Sequence, residues 1–241
     1  MSQNLLKFKK ELKNLADPQK AEILQSFFKT GEGEYGEGDR FLGIVVPEQR
    51  KLAKDFSYLS LNDLQKLLNS SIHEERLTAL FILILQYQKA QKEENKKQQK
   101  NIFDFYLKNT KQINNWDLVD LSAPNIAGKY LLNKKRAILY KLARSKNLWE
   151  KRSSVLATLE FIKNKEYEDT FAIIEILFQD EHDLIHKACG WMLREIGKNL
   201  GQKKEEEFLQ KYYQKMPRTM LRYAIERFPE KRRQQYLKSL V

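Results

Sequence analysis

The chain has 241 residues, 41% of them hydrophobic and 32% charged, so we expect a folded protein with a heavily charged surface rather than a disordered one. Its 44 lysines and arginines outnumber 32 acidic residues and give a net charge of +12, which favours a nucleic-acid partner, although some basic housekeeping proteins share this balance. The single cysteine, Cys189, excludes an intramolecular disulfide framework and a multi-cysteine zinc site.

Helical patterns follow one another along the whole chain. Asp17 and Pro18 predict a helix start, because Asp caps helix N-termini and Pro is favoured at the first helical position. Pro47 opens a second helix, and Ser60 with Asp63 three residues later caps a third. Further helices are predicted at about residues 72–90, 96–109, 115–122, 125–132, 135–145, 148–164, 167–178, 183–198, 203–215, 218–227 and 230–239. No segment alternates with period two, so we expect no substantial sheet.

The predicted helices are short and are joined by short polar turns. None is amphipathic enough to fold alone, so each must bury its apolar stripe against its neighbours. Helix pairs stacked into a solenoid meet that need and form a concave face. We therefore predict an all-α fold of this kind, a single domain over residues 1–241, with an irregular helical bundle as the alternative.

Two segments depart from the helical pattern. Residues 30–46 alternate glycines with acidic residues, but they lack the Gly-Lys-Ser/Thr ending of a phosphate-binding loop, and their acids would repel phosphates. Residues 88–100 are polar and charged, which is typical of a solvated helix end or loop.

The sequence predicts no membrane contact. The N-terminus lacks the apolar core of a signal peptide, and the longest apolar run, residues 80–85, is too short to span a bilayer. We therefore expect a cytoplasmic protein, associated with the nucleoid if its partner is DNA.

Two tryptophans lie one helical turn from a charged side chain. Trp116 and Asp120 are four residues apart, and Trp191 and Arg194 are three apart, so each pair shares a helix face. An aromatic face beside a carboxylate suits a cation. On spacing alone, the favoured interpretation of the first pair is a core tryptophan, with Asp120 capping the helix turn that ends at Pro124, and Trp191 is better explained as part of the apolar core of its own helix.

Basic residues concentrate in two places where phosphate contacts are expected. Arg152, at the start of a helix, is placed to bind a phosphate bidentately, with an ordinary surface ion pair as the alternative. In residues 129–152 the basic residues outnumber a single acid, Glu150; they are Lys129, Lys134, Lys135, Arg136, Lys141, Arg144, Lys146, Lys151 and Arg152. The second region includes Arg218 and Arg222 near the C-terminus.

A metal site is not expected. His182 and His186 share a helical face, but no third ligand at a suitable spacing accompanies them. No Ser-His-Asp arrangement stands out either.

Eight short strings, in this order and spacing, resemble the AlkD-type DNA alkylation repair glycosylases, which are built from HEAT-like helical repeats. They are Phe-Phe-Lys-Thr-Gly at 27–31, Gly-Glu-Gly-Asp at 36–39, Leu-Gly-Ile-Val-Val-Pro-Glu-Gln-Arg at 42–50, Asn-Trp-Asp-Leu-Val-Asp at 115–120, Ser-Ala-Pro at 122–124, Trp-Glu-Lys-Arg at 149–152, Gly-Trp-Met-Leu-Arg at 190–194 and Pro-Arg-Thr-Met-Leu-Arg at 217–222.

The resemblance implies a role for each matching residue. Asp120 matches the catalytic aspartate, and Trp116 and Trp191 match the aromatic residues that flank the lesion. Arg152 matches an arginine that contacts the backbone phosphate near the lesion, with Lys151, Arg218 and Arg222 expected as further phosphate contacts. Arg194 and Tyr35 match residues that line the site, where Tyr35 is expected beside the lesion and Arg194 is expected to contact a phosphate.

The resemblance further implies excision of purines alkylated at N3 or N7 in duplex DNA, without a metal or organic cofactor. Such purines are cationic and leave readily, and a fixed carboxylate can stabilise the positive charge that develops on the sugar. No nucleophilic amine is evident, so we expect a monofunctional, monomeric glycosylase that leaves an abasic site. The alternatives are a non-catalytic helical-repeat protein that binds nucleic acid and, less compatible with the basic stretch, a protein-protein scaffold.

Overall fold

A computed structural model describes all 241 residues, Met1–Val241. All regular elements of the chain are helices, and its only β-type pairing is an isolated bridge between Arg40 and Ile72, which confirms the all-α prediction. The helices are α1 (Gln3–Asn14), α2 (Pro18–Phe27), α3 (Val46–Asp55), α4 (Leu61–Leu68), α5 (His73–Lys92), α6 (Lys96–Lys108), α7 (Trp116–Ser122), α8 (Lys129–Leu131), α9 (Ala137–Ala143), α10 (Leu148–Lys163), α11 (Glu168–Leu177), α12 (Asp183–Leu200), α13 (Gln202–Tyr212), α14 (Arg218–Ala224) and α15 (Glu230–Leu237).

The chain divides into two compact units, Met1–Leu118 and Val119–Val241, and the boundary falls inside α7. The single domain over residues 1–241 therefore stays a prediction. None of the helices combines the length and the apolar character that crossing a bilayer requires.

In the first unit, α5 is the central helix, and α3, α4 and α6 pack against it. The apolar run at residues 80–85 belongs to this helix and is largely buried, which explains its composition without a membrane. The predicted caps are present: the Asp17 carboxylate accepts from the Lys20 amide, and the Ser60 hydroxyl accepts from the Asp63 amide.

In the second unit, helices pack on their successors and on the helix after next. α10 contacts α9, α11 and α12, while α12 contacts α13 and α14. This is the packing that stacked helix pairs produce. Gly190 allows the close approach of α12 to α14, because a Cβ there would collide with the Met220 carbonyl oxygen and the Tyr223 side chain.

Four elements of the structure differ from the predictions. Helix α1 was not predicted, although Ser2 caps it and Leu5, Phe8 and Leu12 form its buried stripe. The helix expected at residues 125–132 is a π-helix, Pro124–Gly128, followed by the single turn of α8. The helix expected at 135–145 is shorter, and the one expected at 218–227 ends in a 3₁₀ turn at Ile225–Arg227.

The irregular segment at residues 30–46 has turns but no helix until α3 begins, as expected. Its end is fixed by the buried Glu74, whose carboxylate accepts from the amides of Leu42, Gly43 and Ile44 at 2.9–3.2 Å. Gly43 has a φ of +81° and lies against the Asp17 carbonyl oxygen, so a side chain cannot fit there.

Candidate active site

Trp116 begins α7 and is fixed by a stack of rings in the first unit. Its indole lies on Phe28 with 5.1 Å between ring centroids and 12° between planes, and Phe28 in turn stacks on Phe41 at 4.9 Å. The ring of Phe27 meets the indole edge-on at 6.1 Å. Trp116 is half-buried, with its indole packed on these rings.

A buried charge network lies at the other end of this stack. Both nitrogens of His73 bind carboxylates: Nδ1 lies 3.0 Å from Asp39 and Nε2 lies 2.8 Å from Asp117. The second oxygen of Asp39 accepts from the Arg76 guanidinium at 2.6 Å. Burial alone would raise the pKa of Asp39, but the hydrogen bond from His73 and the charge of Arg76 lower it.

In the second unit, Asp120 and Arg152 form a bidentate ion pair. Nε and Nη2 of Arg152 donate to the two oxygens of Asp120, each at 2.8 Å, and Nη1 donates to the Leu184 carbonyl oxygen on α12 at 2.5 Å. The Asp120 side chain retains 16% of its exposure, whereas that of Arg152 retains 6%. The carboxylate is therefore held in a fixed plane and remains partly open to solvent.

This arrangement differs from the expected role of Arg152. The sequence suggested a side chain free to reach a phosphate, but the guanidinium is buried and its donors face Asp120 and a backbone carbonyl. The donors that were expected to bind a phosphate instead bind the carboxylate of Asp120, which lies 32 residues earlier in the chain. A phosphate contact by Arg152 stays a prediction.

Trp191 is half-buried on α12, and its indole N–H donates to Glu195 one turn later at 3.2 Å. Arg194, on the same helix, is paired with Glu226. Tyr35 lies half-buried in the irregular segment before α3. The structure thus gives both tryptophans defined neighbours.

Some of the basic residues that were expected to bind phosphates form ion pairs within the protein, and others are exposed. Lys151 is paired with Asp180, and Arg136 is held by Glu166 and Asp169. Exposed basic residues in the same stretch and near the C-terminus include Lys134, Lys135, Lys141, Arg144, Lys146, Arg218 and Arg222.

His182 and His186 have backbone partners. The ring of His182 accepts from the Leu184 amide and caps α12, while His186 Nε2 lies 2.5 Å from the Asp180 carbonyl oxygen. No three His, Cys, Asp or Glu side chains of the chain are grouped as a metal site would need.

A sequence model of the DNA alkylation repair enzyme family matches residues 8–228, which is nearly the whole chain. The chain belongs to the DNA alkylation repair enzyme family. No curated protein matches it.

Among solved structures, a predicted DNA alkylation repair enzyme from Enterococcus faecalis has the same fold. The TM-score is 0.66 at 17% sequence identity, with 89% of this chain and 97% of the other covered. At this identity the similarity shows the fold alone. The AlkD-type resemblance and the helical-repeat class are consistent with both comparisons.

In this member of the DNA alkylation repair enzyme family, sequence reasoning missed the ionic network of the first unit. His73 was not singled out, because its partners Asp39 and Asp117 are 34 and 44 residues away and the spacing carries no local signal. Both aspartates do lie within strings that carry the resemblance. Their presence in these strings was the sequence signal that could have pointed to the network, but neither aspartate was assigned a role.

An apolar cavity of about 320 Å³ adjoins this network. The rings of Phe27, Phe28 and Phe41 line it, together with His73 and Asp117. The polar atoms of His73 are occupied by the two carboxylates, so the cavity offers an apolar lining.

Proposed function

We propose that this protein is a monofunctional DNA glycosylase that releases cationic N3- and N7-alkylpurines from duplex DNA and leaves an abasic site. The observation that supports this most directly is the fixed, partly exposed carboxylate of Asp120 on the helix that also carries Trp116. Membership of a DNA alkylation repair family supplies the class of damage.

The proposed chemistry needs few groups. Alkylation at N3 or N7 makes the purine a cation and thus a good leaving group, so no strong general acid or cofactor is required. Breaking the glycosidic bond develops positive charge on the deoxyribose. A preorganised carboxylate stabilises such charge and can orient the attacking water.

Arg152 is proposed to hold Asp120 ready for this step. An ionised carboxylate accepts at about four lone-pair sites. Arg152 uses one site on each oxygen, which fixes the plane of the group before substrate arrives. The carboxylate then needs no reorganisation as charge develops, and this is the condition under which electrostatic stabilisation is most effective.

Trp116 and Trp191 are proposed to contact the lesion nucleotide, and Tyr35 and Arg194 to line the site. Indole faces attract cations, so they favour both the charged base and the developing sugar cation. The exposed basic residues are proposed to bind the phosphates of the duplex.

The decisive experiment incubates the purified protein with a duplex that contains one 7-methylguanine and measures free base by mass spectrometry. An unmodified duplex and Asp120→Asn serve as controls. We expect free 7-methylguanine and an intact strand with an abasic site. Tight binding to the modified duplex with no base release would instead indicate the non-catalytic nucleic-acid-binding alternative.

A further inference from the structure

The ionic network of the first unit places four charged side chains in the interior. His73, Asp39 and Arg76 are each less than 5% exposed, and Asp117 is 8% exposed. Buried ion pairs often contribute no more stability than apolar residues of equal volume, because desolvation offsets the attraction. A network of this kind can instead fix one arrangement of the groups bonded to it.

Both nitrogens of His73 face carboxylates, so the ring satisfies both of them only when both nitrogens carry a proton. Burial alone would lower the pKa of His73, but the charge and hydrogen bond of Asp117 and the bond to Asp39 raise it to about 9. Asp39 and Asp117 come from elements packed against the ring, while Arg76 and Glu74 share its helix. The imidazolium is thus the neutral-pH form.

Two residues of this network, Asn115 and Asp117, flank Trp116 in the chain. Asp117 follows it in the chain and also caps the Leu118 amide, while Asn115 precedes it. The Asn115 side chain donates to Asp39 at 3.3 Å and accepts from the Trp116 amide at 2.8 Å. The backbone on both sides of the indole is therefore tied to the network.

The Trp116 indole is also linked to the ionic network, through a series of stacked rings. The His73 ring stacks on Phe41 at 4.5 Å and 22°, and Phe41 joins Trp116 through Phe28. Loss of the proton from His73 would remove the imidazole donor from one of the two carboxylates, either Asp39 or Asp117. The interactions through which His73 holds both the start of α7 and the stacked rings would then be weakened.

We propose that His73, clamped between Asp39 and Asp117, is a positioning residue that sets the orientation of the Trp116 indole at the site. The functional part of this proposal rests on the proposed glycosylase activity, whereas the clamp itself can be tested without substrate.

The first test uses full-length protein labelled with 5-fluorotryptophan. The resonances of Trp116, Trp149 and Trp191 are assigned with Trp→Phe variants and followed by ¹⁹F NMR from about pH 6 to about pH 10.5. We expect the Trp116 resonance to shift with a midpoint near 9, as His73 titrates. The other two should not follow this titration. A Trp116 resonance that does not move over this range overturns the proposal.

Variants assign the titration to the clamp. His73→Gln and, as a second and milder change, Asp117→Asn should abolish or displace the Trp116 titration. His186→Gln, which alters a half-buried histidine of the second unit, should leave it intact. Persistence of the wild-type titration in folded His73→Gln assigns it to another group and overturns the proposal.

The second test measures release of 7-methylguanine. We expect His73→Gln to lower kcat by about 10- to 100-fold with KM nearly unchanged, since misplacing a contact group has that cost. A folded His73→Gln variant with the wild-type kcat overturns the positioning role while the glycosylase proposal stands. If the wild type releases no base, the glycosylase proposal fails and the ¹⁹F titration alone decides the clamp.

Discussion

Asp120 and Arg152 are two side chains whose effects depend on each other. Each oxygen of Asp120 binds a different N–H of Arg152, so removal of Asp120 leaves the buried guanidinium without this carboxylate, and removal of Arg152 frees the carboxylate to change its orientation. Breaking such a pair by deleting one partner typically costs about 3–5 kcal/mol of stability. Measurements on variants of this pair therefore need thermal unfolding alongside rates.

Asp120→Asn should reduce the rate of 7-methylguanine release by about 10²–10³ while binding of the duplex changes little. The amide keeps the shape of the carboxylate but loses the charge that stabilises the sugar cation. Single-turnover release and fluorescence anisotropy measure the two effects. Release at the wild-type rate would remove Asp120 from the mechanism.

Arg152→Met should slow release by a similar factor, and the Asp120→Asn/Arg152→Met double variant should be little slower than either single variant. Groups that act as one unit show such non-additivity. If Arg152 bound a phosphate instead, its loss would also reduce the salt slope of binding by about one unit.

Arg222→Met provides the matched comparison for the salt dependence. Arg222 is exposed on α14 and is proposed to bind a phosphate. Its loss should reduce the salt slope by about one unit with little effect on release at saturating protein. A reduced slope for Arg152→Met and an unchanged slope for Arg222→Met would reverse these two assignments.

At the scale of the elements, α13 carries a carboxylate in an unfavourable position. Glu205 is 2% exposed and packs against Gly197 of α12, and its Oε1 has no hydrogen-bond partner. Burial, with a smaller contribution from Glu206, raises the pKa of Glu205 to about 9. The folded protein therefore keeps this group protonated at neutral pH.

Glu205→Gln should stabilise the protein in a pH-dependent way. The unfolded chain releases the Glu205 proton above about pH 4.5. The folded chain retains it to about pH 9, so stability falls as pH rises between these values. The variant removes this loss and should gain roughly 1–3 kcal/mol at about pH 8, and nothing at about pH 4.

The control for this prediction is Glu207→Gln. Glu207 lies on the same helix, is half-exposed, and pairs with Lys204, so its removal should change stability by less than about 0.5 kcal/mol. Unfolding in urea at several pH values measures both variants. A gain for Glu205→Gln that does not depend on pH would contradict the assignment.

The helices were largely predictable because their signals are local. Caps such as Asp17 and Ser60 and apolar stripes at helical spacing depend on residues within one or two turns. The π-helix at Pro124–Gly128 could not be predicted in this way. Its Gly128 amide donates to the Ala123 carbonyl oxygen, and Gly128 also packs closely against α10, a contact that is not local in sequence. The partners of Arg152 and His73 are more than 30 residues away, and sequence spacing does not reveal such pairs.

At the scale of the whole molecule, the net charge of +12 predicts an affinity for DNA that depends strongly on salt and little on sequence. For the proposed glycosylase, charge of this kind would favour binding to any duplex. Discrimination between damaged and intact bases must then come from the chemistry of the lesion.

Selectivity should follow the charge and lability of the lesion rather than its shape. In the proposed mechanism, a fixed carboxylate and two indoles would stabilise a departing cation but would have little means of removing a neutral, tightly bonded base. Cationic N3- and N7-alkylpurines should be released, while uracil, 8-oxoguanine and 1,N6-ethenoadenine should be released far more slowly. Trp116→Ala or Trp191→Ala should cost about 0.5–2 kcal/mol in transition-state stabilisation. Efficient release of uracil by the wild type would contradict this mechanism.

The burial of Cys189 affects how readily its thiol can be methylated. Electrophiles that methylate purines also methylate thiolates, and the thiolate is the reactive form of cysteine. Cys189 has no exposed surface, and burial raises the pKa of its thiol well above the ordinary range despite the nearby charge of Arg152. Cys189 should therefore stay unmodified in the folded protein when methylating reagents are added, and should react only after unfolding.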